Sequence, residues 1–297
     1  MALCLFFSAI SAPKGRKDVL VYYNSAELAI FKNGVKCKID TGAGKIGGGS
    51  PRGEITIFSR KSRNRLSWIY SQGDWKSMIT LTYHTSFPEY DISKKHLHAF
   101  LWELSKKGIN YLWVVEFQGR GFPHYHVWTD KQMNGDEWRK YMKTWLNVTK
   151  EHNGDEKAIN FHMHDASYTE WDVRFDLNYA VKYAQKQKQK GLPVGVKKFG
   201  RWWGSSRNII IPERVFTSTL FEETAENRLL AKTHIRIRRT IKNAVFHWCK
   251  RKKRISFDRR TMSGFTFIFN DERKKCIDRI VDFEMNEYRL EIELRGG

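Results

Sequence analysis

The chain is poor in the residues that build small cross-linked scaffolds. Its 297 residues include four cysteines, Cys4, Cys37, Cys249 and Cys276, none of them in a CxxC pair. That spacing argues against a disulfide framework and against a Cys-rich zinc site, and it fits a reducing cytoplasm. Prolines number 6 and glycines 21, which excludes a collagen-like or Pro-rich polymer. No apolar run approaches the roughly 20 residues that cross a bilayer, so no membrane partner is expected. The N-terminal run Ala2 to Ile10 is followed, not preceded, by Lys14, Arg16 and Lys17, and reads as a buried strand rather than an export signal. A P-loop is missing too. Gly44-Lys45 hints at one, but the positions that need Gly and Ser or Thr hold Ile39 and Ile46. Acidic residues are also scarce: 32 Asp and Glu face 53 Lys and Arg, a net charge of +21 that points to a polyanionic partner.

What is present suffices for a packed core, with 41% apolar and 14% aromatic residues. Ser77 to His84 alternates with period two and reads as a strand. Asp91 to Lys107 places Ile92, Leu97, Phe100, Leu101 and Leu104 largely on one helical face, with Gly108 as a stop. Asn110 to Gly119 and His124 to Asp130 read as two strands joined by a Gly-Pro turn. Trp138, Tyr141, Met142, Trp145 and Leu146 trace an amphipathic helix. Ala158 to His164 reads as a further strand, and Asp176 to Lys190, without breakers, as a helix. This order predicts an α+β fold, a central antiparallel sheet with flanking helices. The Gly-rich stretch Thr41 to Gly53 marks a linker, dividing the chain into an N-terminal extension (1–54), a central domain (55–215) and a basic, mostly helical C-terminal region (216–297). The last contains Arg236, Arg238, Arg239, the block Lys250 to Arg254, and a strand-like segment from Gly264 to Asn270.

Two stretches carry candidate chemistry. On a strand, His124 and His126 share a face while Tyr125 turns to the other. Two imidazoles make half of a divalent-metal site, and Glu116, on the preceding strand, can lie opposite them. Gln118 shares the Glu116 face and is a reserve ligand. The plain alternative is a pair of hydrogen-bonded histidines. Phe161 to Asp165 repeats the His-apolar-His pattern without the Gly-Pro turn or a nearby upstream carboxylate. In the second stretch, Asn178 to Lys190, a helix would stack Tyr179 and Tyr183 on one face, with Lys182 and Lys186 each three residues after a tyrosine. A phenol is a weak nucleophile at neutral pH, and nearby cations or a metal would help it. Core packing of the tyrosines is the alternative.

Together the two stretches resemble the HUH endonuclease superfamily, most closely the rolling-circle replication initiators of filamentous and plectrovirus-like single-stranded DNA phages. Ile79 to Tyr83 (ITLTY) resembles the first motif, Glu116 to His126 the second, and Tyr179 to Lys186 (YAVKYAQK) the third. Gly200 to Arg207 (GRWWGSSR) resembles a block that often follows. The likeness covers roughly residues 55–215. The order, histidines before tyrosines, differs from that usual in conjugative relaxases.

The resemblance implies that His124, His126 and Glu116 hold Mg²⁺ or Mn²⁺. It implies that Tyr179 or Tyr183 attacks the scissile phosphate of single-stranded origin DNA, leaving a 5′-phosphotyrosine and a 3′-OH, and that the strand is later rejoined. Tyr183 is the slightly favoured first nucleophile. Lys182 and Lys186 would contact phosphate or stabilise phenolate. Host helicase and polymerase would be partners, in a bacterial cytoplasm. Arg120, Arg201, Trp202, Trp203 and Arg207 are candidate DNA contacts, each of which could instead be structural. A non-catalytic nucleic-acid-binding protein accounts for the charge and aromatics equally well but leaves the His and Tyr arrangement unexplained. A mobilisation or transposition enzyme would share the chemistry on another substrate.

Overall fold

Alternating apolar residues near both ends of the chain build one sheet, and those of its middle build another. The computed structural model describes residues 25–40, 58–84, 86, 88–151, 156–165, 192–193, 196, 199–219, 224–250 and 265–296. The expected N-terminal strand at Ala2 to Ile10, the Gly-rich linker and the helix at Asp176 to Lys190 lie outside them. In chain order the main elements are β1 (Ser25–Phe31), β2 (Gly34–Asp40), α1 (Arg60–Gln72), β3 (Ser77–Leu81), α2 (Tyr90–Lys106), β4 (Tyr111–Phe117), β5 (Pro123–Thr129), α3 (Gly135–Thr149) and α4 (Glu156–Asn160). A π-helical turn over Phe161–Asp165, β6 (Trp203–Ser205), β7 (Arg214–Thr219), α5 (Ala225–Lys250), β8 (Phe265–Ile268) and α6 (Asp271–Gly296) follow. The fold is α+β, with two antiparallel four-stranded sheets.

The central sheet has the order β3-β5-β4-β6. Its alternation sends Tyr125, Val127, Trp113 and Val115 to one face, where α2 and α3 pack. There the Tyr125 hydroxyl meets Ser93 Oγ at 2.6 Å, and the Trp145 ring lies 6.4 Å from that of Tyr125. The five apolar positions that predict α3 are all buried, and an Asn134–Glu137 capping box starts the helix. On α2, Leu97, Phe100, Leu101 and Leu104 are buried, whereas Ile92 is exposed. Gly108, at φ +68°, supplies the left-handed residue that ends this helix.

The outer sheet has the order β7-β1-β2-β8 and packs against α5 and α6 through Leu28, Ile30, Val35, Ile237, Ile241, Ile277 and Val281. Residues 25–40, ahead of the Gly-rich stretch, are thus paired on both sides with strands from beyond residue 213. At the turn between β1 and β2, Asn33 Nδ2 donates to the Ser71 carbonyl (2.7 Å), joining the outer unit to α1. Phe31 meets Trp68 edge to face at 5.2 Å. A Cβ on Gly34 would come within 2.3 Å of the Trp68 ring, so the indole packs directly over that glycine.

One expected element is corrected. Ala158 to His164, read as a strand, is the helix α4 followed by the π-helical turn. His162 is buried there because its Nε2 bonds Glu151 Oε2 at 2.5 Å, while Phe161 stacks against His84 at 4.7 Å. Glu151 also accepts from the His84 backbone N–H at 3.0 Å. These non-local contacts anchor the turn beside the end of β3.

Candidate active site on the central sheet

The site grows from the pairing of β4 with β5, whose tight turn over Gln118 to Phe122 is closed by the Gln118 N–H donating to the Phe122 carbonyl at 2.9 Å. Gly121 takes φ +82° within it. The register sets Glu116 opposite His124, and Val114 and Thr80 on either side of His126. Residues directly across an antiparallel pair share a face. Glu116, His124 and His126 therefore lie together, on the face away from α2 and α3.

The side chains converge in part. Glu116 Oε2 lies 3.5 Å from His126 Nε2, with both side chains nearly fully buried. The rings of His124 and His126 are 4.7 Å apart at 71°. His126 Nδ1 faces Thr80 Oγ1 at 3.5 Å, a long contact that favours a proton on Nδ1 and directs Nε2 at the carboxylate. His124 Nδ1 accepts from Gln118 Nε2 at 3.1 Å. Among the described residues, no three His, Cys, Asp or Glu side chains stand ready as a metal cage. The donor chemistry still fits a divalent cation. Two imidazoles and one carboxylate sit on adjacent strands, and an oxygen acceptor lies behind one ring. Trp128, two residues beyond His126 on the same face, packs edge to face on Tyr70 of α1 at 5.5 Å and walls one end of the site.

Tyr83, the aromatic of the ITLTY segment, is buried under this region. Its hydroxyl bonds His96 Nδ1 at 3.0 Å and its ring packs on Trp145 at 5.5 Å. Burial raises its phenol well above the ordinary tyrosine value, so it remains a neutral packing residue.

The expected DNA contacts divide. Arg120 is exposed but committed: Nε donates to Gln118 Oε1, Nη1 to the His84 carbonyl and Nη2 to the Tyr83 carbonyl, and the guanidinium lies 4.0 Å from the Phe122 ring centroid. It clamps the end of β3 to the β4–β5 turn, and through Gln118 it reaches His124. Trp202, expected as a base-stacking platform, is corrected to a core residue: it is 2% exposed and stacked parallel to Phe58 at 5.8 Å, with Phe117 and Phe199 at its edges. Trp203 is half-buried in β6, its Nε1 donating to Ser62 Oγ at 2.8 Å. Arg201 and Arg207 are exposed. Gly200 adopts φ +81°, and a Cβ on Gly204 would sit 2.8 Å from the Trp113 indole nitrogen, so both glycines of the block let β6 close on β4. Tyr179, Lys182, Tyr183 and Lys186 lie outside the described residues, as does most of the basic block at Lys250 to Arg254. Within α5, Arg236 pairs with Glu284 of α6 at 2.9 Å and Arg238 is buried, so these two arginines serve the outer unit.

Sequence reasoning passed over Thr80, although its place in the ITLTY strand and the β3–β5 register mark it as the neighbour of His126. It also passed over Lys94, whose partners come from distant segments.

This is an α+β protein with a His-carboxylate cluster at the centre of an antiparallel sheet. Residues 76–188 match the family model for the replication-associated protein ORF2, a span that takes in the cluster and the Tyr179 to Lys186 stretch. The match supports a replication-initiator role and, with it, DNA binding. No curated protein and no solved structure matches the chain.

Proposed function

We propose that the chain is a replication initiation endonuclease of the HUH type that nicks single-stranded origin DNA through a tyrosine and later rejoins the strand. The observation that carries this reading is the apposition of Glu116 with His124 and His126 across β4 and β5, inside the segment that matches a replication-associated family. Glu116, His124 and His126 would hold Mg²⁺ or Mn²⁺, which when bound supplies Lewis-acid polarisation of the scissile phosphate. Thr80 fixes the tautomer of His126, and Gln118, tied to Arg120, orients His124.

The nucleophile is Tyr179 or Tyr183. Its phenolic oxygen forms the new bond to phosphorus, the P–O3′ bond breaks, and the departing 3′ oxygen takes a proton to become a free 3′-OH. Lys182 and Lys186 lower the cost of phenolate at neutral pH. The phosphotyrosine retains the phosphodiester energy, so a 3′-OH can later displace the tyrosine and rejoin the strand. Two tyrosines allow one to hold the old end while the other cuts the new junction.

A labelled single-stranded origin oligonucleotide incubated with the full chain and Mn²⁺ becomes covalently attached to protein, and peptide mapping finds the label on Tyr179 or Tyr183. An adduct that survives the Tyr179→Phe/Tyr183→Phe double substitution refutes the nucleophile. Cleavage undiminished by excess EDTA refutes the metal. Salt-dependent DNA binding with no adduct in any divalent metal points instead to a non-catalytic binding protein.

A further inference from the structure

Across the central sheet from His124 and His126 lies a cavity of about 460 Å³ between α2 and the β4–β6 edge. Tyr111, Trp113 and Phe199 supply aromatic walls, and Lys94, His98 and Arg201 supply the charge. Lys94 Nζ sits 3.9 Å from the Phe199 ring centroid and 4.5 Å from that of Trp113, and donates to the Arg201 carbonyl. No carboxylate among the described residues forms an ion pair with Lys94, His98 or Arg201, although Asp91 lies on the rim.

The three cations crowd one another. His98 is held below its ordinary value by burial first, then by the charges of Lys94 and Arg201. Burial alone pushes Lys94 down to about 6. A cationic cluster without a carboxylate gains from any anion that enters, because the anion relieves both the repulsion and the desolvation. The aromatic walls select among anions, since a flat ring stacks on them and an inorganic oxyanion does not. The volume lies within the ordinary range for small-ligand sites.

We propose that this cavity is a nucleotide-binding site, separate from the His-carboxylate cluster, in which Lys94, His98 and Arg201 take a phosphate and the aromatic wall takes the base. It stands independently of the tyrosine chemistry. The ligand is a nucleoside phosphate, either a free mononucleotide or a unit of single-stranded DNA. Tyr125 links the two faces: its ring lies 5.7 Å from Lys94 Nζ, and its neighbours on β5 are His124 and His126.

The test is calorimetric titration of the full chain with thymidine 5′-monophosphate, thymidine, inorganic phosphate and a short oligothymidylate, all in excess EDTA to silence metal-held phosphate. The monophosphate binds saturably and more tightly than thymidine or phosphate alone. His98→Gln and Arg201→Gln, both at exposed side chains, each weaken it by about tenfold, the worth of one charge-assisted hydrogen bond. His124→Gln, on the other face, leaves binding unchanged. Competition by the oligonucleotide identifies the DNA strand as the source, and its absence identifies the free nucleotide. Failure of the monophosphate to bind, or binding lost in His124→Gln and intact in His98→Gln and Arg201→Gln, overturns the proposal.

Discussion

Replacing Arg120 by alanine separates two roles that a surface arginine can play. The guanidinium uses three of its donors on Gln118, His84 and Tyr83, and its flat face covers Phe122. Buried charge-assisted bonds are worth about 1.5–3 kcal/mol each, and exposure reduces each here to about 0.5–1 kcal/mol. The stack on Phe122 adds about 0.5 kcal/mol. Arg120→Ala should therefore cost about 2–3 kcal/mol, a fall in Tm of about 6 °C for a chain of this size. Arg120→Lys, with no planar fork, should recover only the smaller part of it. Differential scanning calorimetry and urea unfolding read the loss directly, and an unchanged urea m-value would show that the denatured state is unaffected. The clamp also positions Gln118 against His124, so nicking should fall together with stability. An Arg120→Ala protein with wild-type Tm, whose only change is a salt slope for DNA binding reduced by about one, would refute the clamp and return Arg120 to the phosphate backbone.

His162→Ala leaves Glu151 without its imidazole partner and should destabilise the chain by about 3 kcal/mol in urea, with early proteolysis near the π-helical turn. Gly204→Ala drives a methyl group into the Trp113 indole and should cost about 1–3 kcal/mol by thermal melting. His96 is held below its ordinary value by burial, so the unfolded chain binds its proton first as the pH falls. Stability should therefore be full above the unfolded histidine value of about 6.5 and decline on acidification below it, and His96→Gln should flatten that decline in pH-dependent urea titrations.

The middle of the chain was legible because its signals are local. Period-two alternation marks β3, β4 and β5, and the five apolar positions of α3 are all buried where the helical period puts them. Glu116 could be set opposite the histidines because a short turn permits few registers. The failures share a cause. His162 and His164 alternate like strand residues, yet burial of His162 depends on Glu151 and His84, which periodicity cannot see. Trp202 and Trp203 look equivalent in sequence, but Phe58, Phe117 and Phe199 close over Trp202 alone. Arg120 reads as a free cation because its carbonyl acceptors stand 36 and 37 residues away. The hairpin of β1 and β2 escaped notice for the same reason: its partners are strands near the other end of the chain.

That hairpin sets an order of events during synthesis. It is made first, yet both of its flanking partners, β7 and β8, are made after the whole central sheet. A nascent chain that has reached Ser206 has every strand of the central sheet, while the hairpin still presents two open edges of the kind that recruit foreign strands. Only the final segment, through α6, covers them. Premature termination would thus leave a finished central unit attached to an adhesive remnant, and completion of the outer sheet certifies that the message was read to its end.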